Sequence, residues 1–169
     1  MLKWLYPNLY IDSTYHIDFK KYREEGYRAV IFDIDNTLVE HGEPATDKVI
    51  RFFTDLKEMG YDFMVMSNNK EDRVKNFAAQ IGDVGYIYKA NKPFKASYLK
   101  CMKEMGSDCT DTLFVGDQLF TDVLGAKNLK IFSILVEPID KKEEIQIVIK
   151  RYLEKIVLYF YKRYIKRQK

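Results

Sequence analysis

Cysteine and histidine are scarce in this chain of 169 residues. It contains two cysteines, Cys101 and Cys109, and two histidines, His16 and His41. None of them forms a Cys-x-x-Cys motif or a Cys/His cluster, so the spacing favours neither a structural zinc site nor a disulfide framework. We therefore expect two reduced thiols in a cytoplasmic protein.

Long apolar runs are also absent. A membrane-spanning helix needs about 20 consecutive apolar residues, and the sequence contains no such run. The first eleven residues are rich in aromatic side chains, namely Trp4, Tyr6 and Tyr10. They lack the apolar core and the cleavage site of a secretory signal. We expect this segment to pack against the body of the protein.

The charges are unevenly distributed along the chain. Residues 141–169 contain ten Lys and Arg against three Glu, a net charge of +7, whereas the preceding 140 residues, with 18 basic and 22 acidic, carry −4. We divide the chain into a body, residues 1–140, and a basic C-terminal helix, residues 141–169. A basic tail on a slightly acidic body suggests an anionic partner, either a membrane surface or a nucleic acid.

Short apolar runs alternate with amphipathic stretches along the body. Five strands are predicted at Ala29–Ile34, Tyr61–Met66, Tyr86–Tyr88, Thr112–Val115 and Ile131–Val136. Helices are predicted between them, at Thr46–Met59, Lys70–Ile81, Phe94–Met105 and a short segment ending near Lys127, after a first helix at Phe19–Glu25. This alternation predicts a Rossmann-like α/β fold, a mostly parallel sheet of five strands between two layers of helices.

Polar side chains follow the ends of four of these strands. Asp33 and Asp35 come at the end of the first strand, Ser67 after the second, Lys92 after the third and Asp117 after the fourth. The carboxyl ends of parallel strands share one edge of the sheet, so these side chains can converge on one crevice. Each motif alone has an ordinary explanation as a turn or a helix cap, but their order after successive strands argues for a site.

One reaction would use all of these groups. Asp33 would attack a phosphomonoester and form an aspartyl-phosphate, while Asp35 would protonate the leaving oxygen and later activate water. Mg2+ would be held by Asp33, Asp117 and Asp35, the last through its backbone carbonyl. Lys92 and Ser67 would bind the phosphoryl oxygens.

Three further residues complete the predicted site. Asn68 would join Ser67 as a phosphate ligand, and Asp122 and Thr37 would support the residues in direct contact with metal and substrate. Asp122 would orient metal-bound water or Lys92.

The pattern resembles the four motifs of the haloacid dehalogenase superfamily of phosphatases. The matching residues are Asp33-Ile34-Asp35-Asn36-Thr37-Leu38, Ser67, Lys92-Pro93 and Gly116-Asp117-x4-Asp122. The resemblance implies Asp33 as nucleophile, Asp35 as acid and base, Ser67 and Lys92 as phosphate ligands and Asp117 as a Mg2+ ligand; the role of Asp122 varies among members.

The resemblance also bears on the substrate. Members often carry a cap domain over the active site, but Val39–Thr46 and Tyr88–Phe94 are too short to hold one. We therefore expect an open crevice suited to a phosphate on a large molecule. The whole chain, including Leu5-Tyr6-Pro7-Asn8 and Gly116-Asp117-Gln118-Leu119-Phe120-Thr121-Asp122-Val123, is similar to the YqeG family of uncapped phosphatases (subfamily IIIA). Mitochondrial and plastid relatives of that family dephosphorylate phosphatidylglycerophosphate, and the resemblance implies this substrate.

The basic C-terminal segment predicts a long helix over Glu143–Arg167. Its broad apolar face is expected to dock in part on the body, through Ile145, Val148, Ile149, Tyr152, Leu153, Ile156, Tyr159, Phe160 and Tyr164. A second stripe of Ile147, Leu158 and Ile165, flanked by Lys150, Arg151 and Lys162, would face outward, where it could contact the inner face of an anionic membrane.

Other functions remain open on the sequence alone. The phosphatase could act on small metabolites, nucleotides or phosphoproteins. A receiver-type signalling domain also phosphorylates an aspartate at a sheet edge, but it needs no acid and base at the position of Asp35. A phosphomutase would need a cap to retain its intermediate. A role in RNA or ribosome binding through the basic tail lacks an aromatic-glycine RNA-recognition signature. The sequence gives no oligomeric state.

Overall fold

A computed structural model describes residues 3–82, 84–140 and 145–168, with side chains from Lys150 onward in the last helix. Its centre is one sheet of six strands in the order β1-β6-β5-β2-β3-β4, and every strand pair is parallel. The strands are β1 (Leu9–Ile11), β2 (Ala29–Phe32), β3 (Asp62–Met66), β4 (Gly85–Ile87), β5 (Thr112–Gly116) and β6 (Phe132–Val136).

Helices cover both faces of this sheet. They are α1 (Phe19–Glu24), α2 (Asp47–Glu58), α3 (Glu71–Gln80), α4 (Lys95–Met105), α5 (Leu124–Lys127) and α6 (Ile145–Lys166). A π-helical turn, Leu119–Val123, leads directly into α5. The predicted three-layer α/β fold is therefore confirmed, and the predicted helices and strands lie within about two residues of the observed ones.

The two central strands are apolar and fully buried. All residues of β2 and β5 are buried, because helices pack on both faces of a parallel sheet and leave no face for polar residues. One core contains Phe32, Phe53 and Phe77, and the opposite core contains Tyr98 and Phe114. Since β2 and β5 are neighbours, the residues that follow them are also placed side by side.

The sheet has one strand more than predicted. The three residues of β1 pair with β6, with Leu9 opposite Ile134, and the side-chain oxygen of Asn8 accepts hydrogen bonds from the backbone N–H and hydroxyl of Ser133. A segment this short carries no period of its own, and Pro7 and Asn8 indicate a turn. The expected packing of the N-terminal segment is confirmed, since Leu5 is buried against the body.

The two segments that could hold a cap domain remain short links. Residues 33–46 join β2 to α2, and residues 88–94 join β4 to α4. Neither link contains a folded insertion, so the described residues form no cap domain at this edge of the sheet.

Helix α6 packs on the body with a different face from the one predicted. Glu154, Val157 and Tyr161 are buried, and Leu158, predicted to face outward, is half-buried beside them. Of the predicted docking face, Tyr164 is half-buried, but the five other members with described side chains are exposed: Tyr152, Leu153, Ile156, Tyr159 and Phe160. Ile145, Ile147, Val148 and Ile149 lie outside the described side chains.

The inward face of α6 also carries polar side chains, Arg151 and Glu154, that bond to groups of the body. The helix pattern alone does not reveal these partners. Among the described residues, no helix is long and apolar enough to cross a membrane.

Candidate active site

A cavity of about 310 Å³ opens at the carboxyl edge of the sheet. Its lining comes from the loops after β2, β3, β4 and β5 and from the start of α6, and comprises Asp33, Asp35, Asn36, His41, Ser67, Asn68, Asn69, Lys92, Gln118, Thr121 and Lys150. The predicted convergence of strand-end residues is therefore present in the structure. Asp117, Asp122 and Thr37 are buried next to this lining.

Asp33 and Lys92 form a buried ion pair on the floor of the cavity. Lys92 Nζ donates to Asp33 Oδ1 at 2.5 Å and to Asp122 Oδ1 at 2.7 Å. Burial raises the pKa of Asp33 to about 6, against the opposing effect of Lys92. Burial lowers the pKa of Lys92, but Asp122 and Asp33 outweigh it and the pKa is raised. At neutral pH the pair is therefore charged, lysine against carboxylate.

Asp117 lies beside Asp33 at the end of the adjacent strand. The Thr37 hydroxyl lies 3.3 Å from Asp33 Oδ2 and 3.2 Å from Asp117 Oδ1, so its one proton is shared between the two carboxylates. Burial and the charges of Asp33 and Asp122 raise the pKa of Asp117 well above its usual range. An additional cation would relieve this repulsion.

Three carboxylates form a candidate metal centre. Asp33, Asp117 and Asp122 each offer an oxygen, and these oxygens lie within 4.8 Å of one another. Oxygen donors of this kind suit a hard cation such as Mg2+. Asp122 accepts from Lys92 and, through Oδ2, from the backbone N–H of Gln118 at 2.9 Å. Both oxygens of Asp33 and of Asp117 also accept hydrogen bonds, so a bound metal would compete with existing donors at all three carboxylates.

Asp35 also lines the cavity, and its carboxylate is held by three donors. It accepts from Arg73 Nη2 at 2.9 Å, from the Gly42 backbone N–H at 2.9 Å and from Asn69 Nδ2 at 3.4 Å. Burial raises the pKa of Asp35, but these donors outweigh burial and the pKa is lowered. Asp35 is therefore ionised, as a proton acceptor would be.

The loop after β3 is held by its own hydrogen bonds. Ser67 Oγ accepts from the Asn69 backbone N–H at 3.0 Å, and the side-chain oxygen of Asn68 accepts from the backbone N–H of Lys92 at 2.8 Å. The second contact ties the loop after β3 to the loop that carries Lys92. Ser67, Asn68 and Lys92 therefore lie together on one wall, as predicted for phosphate ligands.

A glycine allows Asp122 to approach β5. A Cβ atom added at Gly116 would lie 2.5 Å from the carboxyl carbon of Asp122, which is far inside van der Waals contact. The π-helical turn Leu119–Val123 then brings the Asp122 carboxylate back against the strand end. Single π-turns of this kind occur often at functional sites.

Helix α6 supplies residues that the sequence did not indicate. Arg151 donates to the carboxylate and the backbone carbonyl of Asp117, and it also donates to Glu154 at 3.0 Å. Glu154 in turn accepts from the backbone N–H of Leu119 at 2.6 Å. In the sequence, Arg151 and Glu154 are marked as a pair only by their spacing of three residues. Such spacings are common on helices, so this one does not single out either residue as part of the site.

Arg73, His41 and Lys150 were also missed. Arg73 lies on α3, whose apolar stripe gives no reason to select one arginine, and its partner Asp35 is distant in sequence. His41 and Lys150 reach the cavity from a loop and from the start of α6, where no motif marks them.

Comparisons with known proteins agree with this geometry. Residues 42–130 match the family of haloacid dehalogenase-like hydrolases. The protein named "Probable phosphatase YqeG" of Bacillus subtilis (strain 168) is 35% identical over 162 residues, which cover 95% of this chain and 94% of that protein. Phosphatidylglycerophosphate phosphatase 1, chloroplastic/mitochondrial, of Arabidopsis thaliana is 25% identical over 98% of this chain, which spans about half (49%) of that protein's length.

Solved structures share the fold. An uncharacterized protein from Listeria monocytogenes serotype 4b gives a TM-score of 0.54 at 18% identity, covering 70% of this chain and 86% of its own. The cobalt-bound deoxy-D-mannose-octulosonate 8-phosphate phosphatase of Haemophilus influenzae gives 0.51 at 15% identity, covering 68% and 80%. The family match and the YqeG relative show that the chain belongs to the haloacid dehalogenase-like hydrolases and is a YqeG-like phosphatase.

Proposed function

We propose that this phosphatase hydrolyses a phosphomonoester through an aspartyl-phosphate on Asp33, with Mg2+ as its cofactor. The observation that carries the proposal is the position of Asp33. Its carboxylate lies on the floor of the cavity, is paired with Lys92 and is within 4.8 Å of two further carboxylates. No other described side chain combines access to the cavity with this surrounding charge.

In the first step an oxygen of Asp33 bonds to phosphorus as the ester P–O bond breaks. The pKa of Asp33, about 6, leaves the carboxylate ionised at neutral pH. Lys92 is fixed between Asp33 and Asp122 and adds a positive charge beside the incoming phosphoryl group. Ser67 and Asn68, on the same wall, are proposed to bind the phosphoryl oxygens.

In the second step water attacks the phosphorus and breaks the bond to Asp33. Asp35 is proposed to take the proton from that water, and its lowered pKa makes it an ionised acceptor. The same group is proposed to give that proton to the leaving oxygen in the first step of the next turnover, so that the proton balance closes over one cycle. The hydrogen bond from Arg73 opposes protonation, so donation requires this contact to loosen.

The donor set fits a divalent cation. We propose that Asp33 and Asp117 hold Mg2+ by their carboxylates and Asp35 by its backbone carbonyl, with Asp122 and Thr37 keeping the carboxylates in place. When bound, Mg2+ supplies positive charge that neutralises the phosphate and the crowded carboxylates.

The proposed substrate is a large phosphomonoester, with phosphatidylglycerophosphate as the leading candidate. Two observations support it: neither of the described links beside the cavity holds a cap domain, and the Arabidopsis phosphatidylglycerophosphate phosphatase is similar over 98% of this chain. Small metabolites, nucleotides and phosphoproteins are the alternatives.

The test is phosphate release from a panel containing phosphatidylglycerophosphate, nucleotides, sugar phosphates and phosphopeptides, with Mg2+ or with EDTA. Asp33→Asn is the blank, and Asp72→Asn, an exposed aspartate on α3, is the matched control. We expect Mg2+-dependent release, strongest from the lipid, by wild type and Asp72→Asn only. Equal release by wild type and Asp33→Asn on every substrate would refute the proposal.

A further inference from the structure

The side of α6 that faces away from the body is apolar. We define the outer face as Tyr152, Leu153, Ile156, Tyr159 and Phe160, whose exposed fractions are 65%, 52%, 54%, 56% and 49%. Their spacing places them on one side of a helix. The buried Glu154, Val157 and Tyr161 occupy the other side. Large apolar side chains grouped on a surface in this way indicate an interaction site.

Positive charge surrounds the outer face. Every exposed charged residue between residues 151 and 168 is basic, namely Lys155, Lys162, Arg163, Lys166 and Arg167. The one acidic residue in this stretch, Glu154, is buried against the body. A basic rim favours an anionic partner and opposes a second copy of the same face, since two such rims would repel each other.

The other side of the same helix reaches the phosphatase site. Lys150 lines the cavity, and Arg151 donates to Asp117. Glu154 holds the start of the π-helical turn through the backbone N–H of Leu119. An α-helix with its side chains is about 10–12 Å across, so a surface against the outer face lies close to the cavity.

We propose that the outer face docks on an anionic lipid bilayer and so brings the cavity to the head groups. An amphipathic helix with large apolar side chains and flanking Lys and Arg lies in the plane of such a surface. The proposal rests on the proposed function insofar as the substrate is a lipid phosphate; the docking itself depends only on α6.

Two double variants separate this surface from the rest of the protein. Ile156→Gln with Phe160→Gln makes the outer face polar with a residue that forms helices well. The matched control, Ile50→Gln with Met59→Gln, changes two exposed apolar residues at helix α2. Binding is measured by co-sedimentation with phosphatidylcholine vesicles, with and without phosphatidylglycerol, at low and high salt.

We expect wild type and control to bind the anionic vesicles, and the outer-face variant to bind at least about tenfold more weakly, because two large apolar side chains no longer leave water on docking. Binding should weaken with salt. Equal binding by wild type and the outer-face variant would overturn the proposal. So would wild-type binding that ignores phosphatidylglycerol, or a wild-type dimer without vesicles that the outer-face variant dissociates.

Hydrolysis of glycerol phosphate in solution distinguishes failure of docking from failure of the proposed function. We expect the outer-face variant to release phosphate from this soluble phosphomonoester at the wild-type rate. On vesicles that contain a lipid phosphomonoester, we expect its rate to fall below that of wild type. If wild type binds anionic vesicles but hydrolyses neither substrate, the proposed function fails and the docking proposal stands. If it hydrolyses the soluble ester but does not bind vesicles, docking fails alone.

Discussion

Replacing Lys92 by methionine removes the only described cation that bonds to both Asp33 and Asp122. The lysine side chain is 4% exposed, and its two partners are 8% and 1% exposed. Methionine has a similar length, so the change removes a charge with little change in volume. Breaking a buried ion pair by removing one partner costs about 3–5 kcal/mol.

For a chain of this length each kcal/mol lowers the melting temperature by about 2–4 °C, so Lys92→Met should melt roughly 6–20 °C below wild type. The loss should depend on pH. Without Lys92 the pKa of Asp33 rises further, because the positive charge that lowers it is gone, and protonation at pH 5 removes the repulsion that persists at pH 8. The difference from wild type is therefore expected to be larger at pH 8.

The assay is thermal unfolding of the metal-free protein at pH 5 and pH 8. Lys95→Met, an exposed lysine at the start of α4, is the control and should melt within about 2 °C of wild type, as an ordinary surface change does. A loss of less than about 1 kcal/mol for Lys92→Met, or an equal loss at both pH values, would refute the electrostatic account of the site.

Three further predictions concern the same site. Mg2+ should raise the melting temperature more at pH 8 than at pH 5. Burial raises the pKa of Asp33, to about 6, and that of Asp117, so protons compete with the cation at low pH. Because the raised pKa of Asp33 favours its protonated form in the folded state, the metal-free protein should lose stability as pH rises through about 6; an equal rise in melting temperature with Mg2+ at both pH values would contradict this. Asp35→Asn should accumulate phosphorylated protein in acid-quenched reactions, and unchanged turnover without accumulation would exclude Asp35 as the base. Gly116→Ala should cost about 1–3 kcal/mol in chemical denaturation and lower phosphate release, since the new methyl overlaps the Asp122 carboxylate; wild-type stability would show that Asp122 can move.

The sheet was predictable where a strand is a continuous apolar run. Ala29–Phe32 and Thr112–Gly116 are buried on both faces, and burial of this kind leaves a clear pattern in the sequence. β1 was not predictable, because three residues carry no periodicity and become a strand only by pairing with β6.

The candidate site was predictable to the extent that it follows strand ends. Asp33, Ser67, Lys92 and Asp117 meet because the carboxyl ends of parallel strands share an edge. The direction of each side chain was not predictable. The Asp35 carboxylate turns to Arg73, a residue on a helix 38 positions later, and nothing local to Asp35 specifies that partner.

The orientation of α6 shows the limit of amphipathic patterns. From Lys150 onward, where its side chains are described, the outer face has more apolar residues than the buried face, so periodicity predicts that the outer face would dock. The body instead presents the Asp117 carboxylate and the Leu119 backbone N–H, which bind Arg151 and Glu154. Burial of these polar groups without partners would be costly, and this requirement belongs to the assembled fold rather than to the helix sequence.

Phosphorylation of Asp33 during turnover can be observed by acid-quenching a reaction with substrate labelled in its phosphoryl group and locating the label by peptide mapping. We predict label on the peptide that contains Asp33, dependent on Mg2+ and absent from Asp33→Asn. Rapid turnover by wild type with no label on that peptide, together with turnover by Asp33→Asn, would contradict the account.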